Sequence, residues 1–129
     1  MNYSHLYENL GRLFYAVAAA DKEVNAEEIS KLKEEIDGIW LPMENTLDRY
    51  GSDAAHKIWM AFETNDEQSA DAADAYEIFK GFYHDTKAQW SSELKHKVQK
   101  TAAAVANAFN RYNKAELQVL SDLHLLMEV

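Results

Sequence analysis

The chain has 129 residues, 47% hydrophobic and 12% aromatic, which suits a single folded domain over residues 1–129. It contains no cysteine, which excludes disulfides, thiol catalysis and cysteine-ligated metal sites, and a reducing, cytoplasmic location is expected. The net charge of −9 argues against nucleic-acid binding, and no apolar run approaches the roughly 20 residues needed for membrane insertion.

Charge is distributed unevenly along the chain. Residues 21–77 hold 16 Asp and Glu against 5 Lys and Arg, a balance of −11. Residues 80–114 hold 7 Lys and Arg against 2 acidic residues, a balance of +5. Mutual attraction of solvated helix faces within the fold is the main interpretation. A surface that attracts a charged partner is the alternative.

Hydrophobic periodicity predicts an all-α bundle of six to seven helices. The first helix is predicted to begin at Asn2 or Ser4 and to end at Ala20. Its apolar residues recur at spacings of three and four: Tyr3, Leu6, Tyr7, Leu10, Leu13, Phe14 and Val17. A second helix follows Asn25, a good N-cap with Glu28 three residues later, as in a capping box. Its predicted buried face is Ile29, Leu32, Ile36 and Ile39 or Trp40.

Three helices are predicted in the middle of the chain. Pro42 is expected to end the second helix or to begin a short one that stops at Gly51. The next helix, capped by Ser52, is predicted to bury Ala55, Ile58 or Trp59, and Phe62. Residues 64–66 are predicted as a turn before a long helix over residues 68–89. The predicted buried stripe of that helix is Ala72, Tyr76, Phe79, Tyr83 and Thr86.

Two more helices complete the prediction. Ser91 or Ser92 caps the first, whose inward residues are Leu94, Val98, Ala102, Val105 and Phe109. Asn113 caps the second, with Glu116 in its capping box. Leu117, Leu120 and Met127 are expected to face the core. The aromatic side chains are assigned mainly to the core, but Phe82 lies off the main stripe and is a candidate for an interaction surface.

The two ends of the chain repeat one segment at an offset of 88 residues. This shift aligns residues 16–20 with 104–108, two runs of small residues. It also aligns Asn25 with Asn113 and Glu28 with Glu116. The coincidence of small residues, cap and capping box predicts two pseudo-repeated helical hairpins in one bundle.

The first of these segments resembles a known family. Residues 16–28, Ala-Val-Ala-Ala-Ala-Asp-Lys-Glu-Val-Asn-Ala-Glu-Glu, resemble the TerB-like tellurite-resistance domains, also found at the N-terminus of DjlA-type co-chaperones. Asp21, Val24 and Glu28 match the pattern of that family. Lys22 stands where the family has glycine, and Phe109 takes the place of the aspartate in the second copy.

The resemblance implies an all-α bundle and a functional acidic junction. It implies metal-ion binding by Asp21 and Glu28, with Glu23 as a neighbour. It also implies a role in a bacterial stress-response or envelope-associated assembly. The leading hypothesis is therefore a non-enzymatic interaction module without a cofactor. It binds a protein partner through an acidic surface at Glu27 and Glu28, with Phe82 as a further contact. A divalent-metal-binding protein is the alternative.

Other chemistries are not favoured by the residue patterns. The acidic residues after Ala20 resemble the start of an EF-hand, but Ala26 occupies the glycine position and Leu32 the bidentate glutamate position. The serines stand where helix caps are needed, and no glycine-rich phosphate loop is present.

The histidines suggest a di-iron site by spacing alone. Glu93-x-x-His96 and Asp53-x-x-His56 have the separation found in di-iron bundles, but the apolar faces of their helices turn them outward. His124 aligns with a core position of the second helix. It is therefore expected to be partly buried and hydrogen-bonded.

Overall fold

A computed structural model describes residues 2–20, 26–47, 54–108 and 114–127. Its six helices are α1 (Tyr3–Ala18), α2 (Ala26–Leu47), α3 (Ala54–Glu67), α4 (Ala72–Thr86), α5 (Ser92–Ala108) and α6 (Lys114–Met127). A 3₁₀ turn, Lys87–Gln89, follows α4. These ranges contain no strand, so the predicted all-α bundle is confirmed.

Helix α1 is the centre of the bundle. It begins next to Asn2, one of the two predicted starts, and the side chain of Asn2 caps it by accepting a hydrogen bond of 3.1 Å from the backbone N–H of His5. Nearly every side chain from Leu6 to Ala18 is buried, around the whole circumference of the helix. A helix that is apolar on all sides needs neighbours on all sides. Helix α1 accordingly packs on α3, α4, α5 and α6.

Helix α2 is longer than the sequence predicts. It begins at Ala26, directly after the predicted cap, which lies outside the described residues. Leu32, Ile36 and Trp40 form its buried side at a spacing of four. The prediction that Pro42 interrupts the helix is wrong, because α2 continues through it to Leu47. Proline removes one helical hydrogen bond, but tertiary packing can outweigh such a loss, and α2 packs on both α3 and α5.

The turn between α3 and α4 lies later than predicted. Helix α3 extends to Glu67. In its last turns, Asn65 Nδ2 donates a hydrogen bond of 2.8 Å to the carbonyl of Ala61. The chain turns at Ser69, whose φ of 51° lies in the left-handed region. Asp71 then caps α4 by accepting from the backbone N–H of Asp74 at 3.1 Å. The predicted turn at residues 64–66 is therefore wrong, since those residues are helical.

The buried stripe of α6 is rotated relative to the prediction. Leu123 and Met127 are buried and Leu120 is partly buried, but Leu117 is 46% exposed. Glu116, expected only as a capping residue, is fully buried. Positions 116, 120, 123 and 127 keep the spacing of three and four that places residues on one face of a helix. Glu116 therefore takes the buried position that was predicted for Leu117.

The two repeated segments, α1 with α2 and α5 with α6, pack across each other. Helix α2 packs on α5, and α6 packs on α1 as well as on α5. Among the described residues, no Cα atom of α1 lies within 8 Å of one of α2. The second helix of each segment therefore covers the first helix of the other, around a central contact between α1 and α5.

Candidate functional site

The acidic junction predicted as a metal site lies outside the described part of the chain. Asp21 and Glu23 fall between the described ranges. Glu27 and Glu28 belong to the first turn of α2, but their side chains are not among those described. Within the described residues, no three His, Asp or Glu side chains come together as a metal site requires. The metal site and the acidic surface therefore stay predictions.

The described histidines do not converge on one site. Glu93 and His96 are exposed on α5 and His56 is exposed on α3, as the apolar faces of these helices predict. His124 is exposed, so the prediction of partial burial is wrong, and the rotation of the α6 stripe explains why Leu123 is buried instead. The predicted hydrogen bond is present, since His124 Nδ1 lies 3.0 Å from Gln99 Oε1.

Phe82, the predicted contact residue, lies at the edge of the buried face of α4. Its side chain is half-buried and packs against the core. Ile78, one turn earlier, is 54% exposed. The carbonyl of Phe82 accepts a 2.8 Å hydrogen bond from the hydroxyl of Thr86, which in turn accepts from Trp90 Nε1 at 2.9 Å. The interaction role of Phe82 stays a prediction.

A different surface, an open groove between α4 and α6, offers space for a binding partner. We call it the α4/α6 groove. Both helices pack on α1, but within the described ranges no Cα atom of α4 lies within 8 Å of one of α6. The space between them has a volume of about 720 Å³. Its lining includes Tyr76, Glu77 and Lys80 from α4 and Val119, Asp122 and Leu125 from α6, with alanines between them.

Acidic groups surround the tyrosine of this groove. Burial, then Asp122, then Glu77 raise the pKa of Tyr76 to about 12. Asp122 belongs to the opposite wall, where its Oδ1 accepts a 2.9 Å hydrogen bond from Gln118 Nε2. Tyr76 is protonated at neutral pH, as an ordinary tyrosine is, and its hydroxyl can donate a hydrogen bond. Lys80 is the one basic residue among the described residues of the lining.

A second, more polar pocket of about 530 Å³ lies at the turn between α3 and α4. The hydroxyl of Tyr15 donates to the carbonyl of Ala70 at 2.7 Å and fastens this turn to α1. Burial and then Glu67 raise the pKa of Asp66, while burial followed by Asp66 and Asp71 raises the pKa of Tyr15. The polar groups of this pocket are therefore explained by their place in the turn between α3 and α4.

Sequence reasoning does not find the α4/α6 groove. Tyr76 and Leu120 are both predicted to face the core, and nothing in their spacing shows that their helices stand apart. The available signal is Leu125, an apolar residue outside the predicted inward set of α6. It lines the groove and is 63% exposed.

Comparisons with known proteins leave the family open. No protein-family model matches the chain, and neither curated proteins nor solved structures show significant similarity to it. None of the helices in the described ranges combines the length and the apolar character needed to cross a membrane.

Proposed function

We propose that this protein is a non-enzymatic interaction module of the TerB-like kind, which binds a protein partner in a bacterial stress-response or envelope-associated assembly. The assembly and the family rest on the resemblance of residues 16–28. The proposal includes a cytoplasmic location, supported by the absence of cysteine. The observation that carries the binding role is the open α4/α6 groove.

The lining of the groove supports contact with a macromolecule. Alanines and the side chains of Val119 and Leu125 provide apolar contact area at its surface. Tyr76 adds an aromatic ring with a hydroxyl, a combination that is enriched at protein interfaces. Binding sites for small molecules are enclosed and bury most of their ligand. This groove is open at its edge, where the lining residue Leu125 is 63% exposed.

A pair of matched substitutions tests the proposal. Ala115 is exposed and lines the groove, so Ala115→Arg places a long side chain in it without disturbing the core. Ala103 is exposed on α5, outside the lining of the groove, and Ala103→Arg is the control. A tagged chain should capture the same partner from native lysate as wild type and as Ala103→Arg. We expect Ala115→Arg to lose it while its circular dichroism is unchanged.

A third variant separates the groove from the predicted acidic surface. Glu27→Lys combined with Glu28→Lys reverses the charge at the start of α2. If this variant loses the partner and Ala115→Arg keeps it, the acidic surface is the binding site and the groove is not. Capture that neither variant changes would contradict both surfaces.

A further inference from the structure

We propose that the α4/α6 groove binds an amphipathic α-helix of a partner protein, with apolar residues on one face and basic residues beside them. This inference rests on the proposed function and names the chemistry of the partner. It comes from the shape of the groove, from its lining and from the charges of its walls.

The shape of the groove fits one helix. Two helices, α4 and α6, rest on a third, α1, and stand apart from each other, which leaves a trough between two helical walls. The lining extends from Ala72 to Lys80 on α4 and from Ala115 to Leu126 on α6. At 1.5 Å per residue these stretches are roughly 12 and 16 Å long, or about two to three helical turns.

The lining fits the apolar face of such a helix. Val119 and Leu126 are partly buried and pack against the core, while Leu125 is exposed at the edge of the groove. Alanines on both walls leave room for the larger side chains of a partner. Helices that bind in grooves of this kind insert residues at positions i, i+3 or i+4, and i+7.

The charged residues of the groove indicate which residues should flank the apolar face of the partner helix. Glu77 of α4 and Asp122 of α6 both act on Tyr76, and among the described lining residues Lys80 is the single base. The whole chain also carries a net charge of −9. Lysine or arginine on the partner would meet the two carboxylates, whereas an acidic helix would be repelled by them.

Binding of two synthetic helical peptides tests this inference. Both carry the same leucine stripe over about three turns, with lysines beside the stripe in one peptide and glutamates in the other. A third peptide has the composition of the lysine peptide in scrambled order, which removes the apolar face. Fluorescence anisotropy of the labelled peptides, titrated with the full chain, gives the affinities.

We expect the lysine peptide to bind about three- to tenfold more tightly than the glutamate peptide in low salt, and the difference to shrink in high salt. Glu77→Gln with Asp122→Asn should remove that preference, and Ala115→Arg should abolish binding of both peptides. The control Ala103→Arg should bind them as wild type does.

Three results would overturn the inference. Equal binding of the scrambled peptide would show general attraction to an acidic chain, and equal binding of the glutamate peptide would remove the role of the carboxylates. A dimer of the wild-type chain that Ala115→Arg dissociates in light scattering would make a second copy the occupant.

The proposed function can survive the failure of this inference. If neither peptide binds but Ala115→Arg still abolishes capture of the native partner, the groove is a binding site for something other than a helix of this kind. If Ala115→Arg leaves that capture unchanged, the role of the groove in the proposed function fails as well.

Discussion

At the scale of single residues, buried polar groups join the helices at defined points. Trp40 of α2 donates from Nε1 to the hydroxyl of Thr101 on α5 at 3.0 Å, and that hydroxyl donates to the carbonyl of Lys97 at 2.8 Å. Both side chains are fully buried. A buried donor that loses its acceptor is costly, so this pair fixes how α2 lies on α5.

The hydrogen bond between Trp40 and Thr101 leads to a prediction for stability. Thr101→Val keeps the shape of the side chain but removes the acceptor, and we expect a loss of about 1–3 kcal/mol in the free energy of unfolding. Urea titration followed by tryptophan fluorescence measures it.

Thr101→Ser keeps the hydroxyl and should lose only the methyl contribution, about 0.8 kcal/mol or more. Thr64→Val, at an exposed position of α3, should change stability by no more than about 0.5 kcal/mol. A Thr101→Val protein as stable as wild type would show that the hydrogen bond contributes nothing net.

At the scale of helices, the close approach of α1 and α3 depends on one glycine. A Cβ atom at position 11 would lie 2.6 Å from the Cβ of Ala61 and would collide with the carbonyl oxygen of Ile58. The neighbouring atoms are therefore backbone or a short side chain, which cannot move aside as a long side chain can. Gly11 is needed for this helix contact and not for a turn.

The glycines provide a matched comparison. We expect Gly11→Ala to lose about 1–3 kcal/mol in the free energy of unfolding, because overpacking outweighs the better helix propensity of alanine. Gly81→Ala in α4 meets nothing within 4 Å, so it should be neutral or gain up to about 1 kcal/mol. Thermal and urea unfolding of both variants measure the difference. Equal effects of the two substitutions would contradict the close approach of α1 and α3.

At the scale of the molecule, the acidic and basic parts of the chain are not joined by direct ion pairs between the described side chains. Arg12 Nη2 lies 3.8 Å from Glu8 Oε1 within α1, outside both charged segments. Lys97 lies instead over the ring of Trp40, with Nζ 5.5 Å from its centroid. Among the described side chains, attraction between the segments acts at longer range and is screened by salt.

The metal hypothesis makes a prediction that depends on the junction alone. It predicts a saturable binding heat in calorimetry with at least one of calcium, magnesium, zinc or manganese. The combined substitutions Asp21→Asn, Glu23→Gln and Glu28→Gln should abolish that heat. The control neutralises Glu34, Glu35 and Asp37 of α2, which removes the same charge elsewhere. Absence of heat and of a thermal shift with all four metals at millimolar concentration would refute the hypothesis.

Much of the fold can be predicted from the sequence, because periodicity reports the buried side of each helix. Leu94, Val98, Ala102 and Val105 are buried as predicted, and so are Phe79 and Tyr83 of α4. Caps also follow local rules: Ser91 accepts from the backbone N–H of Leu94 at 3.1 Å, as one of two predicted caps for α5. Two of the predictions that fail, at Pro42 and at residues 64–66, rest on local propensity, which tertiary packing overrides.

The sequence alone determined the all-α class, the buried faces of most helices and the uneven charge, because these depend on residue types and their spacing. Only the tertiary structure decided that α2 and α6 cross over to cover α5 and α1, that α6 is rotated to bury Glu116, and that α4 and α6 stand apart. The spacing of apolar residues gives the buried face of one helix at a time. A groove depends on the distance between two helices that pack on a third, and that distance is not encoded in the spacing. The α4/α6 groove, which carries the proposed function, could therefore not be predicted from periodicity.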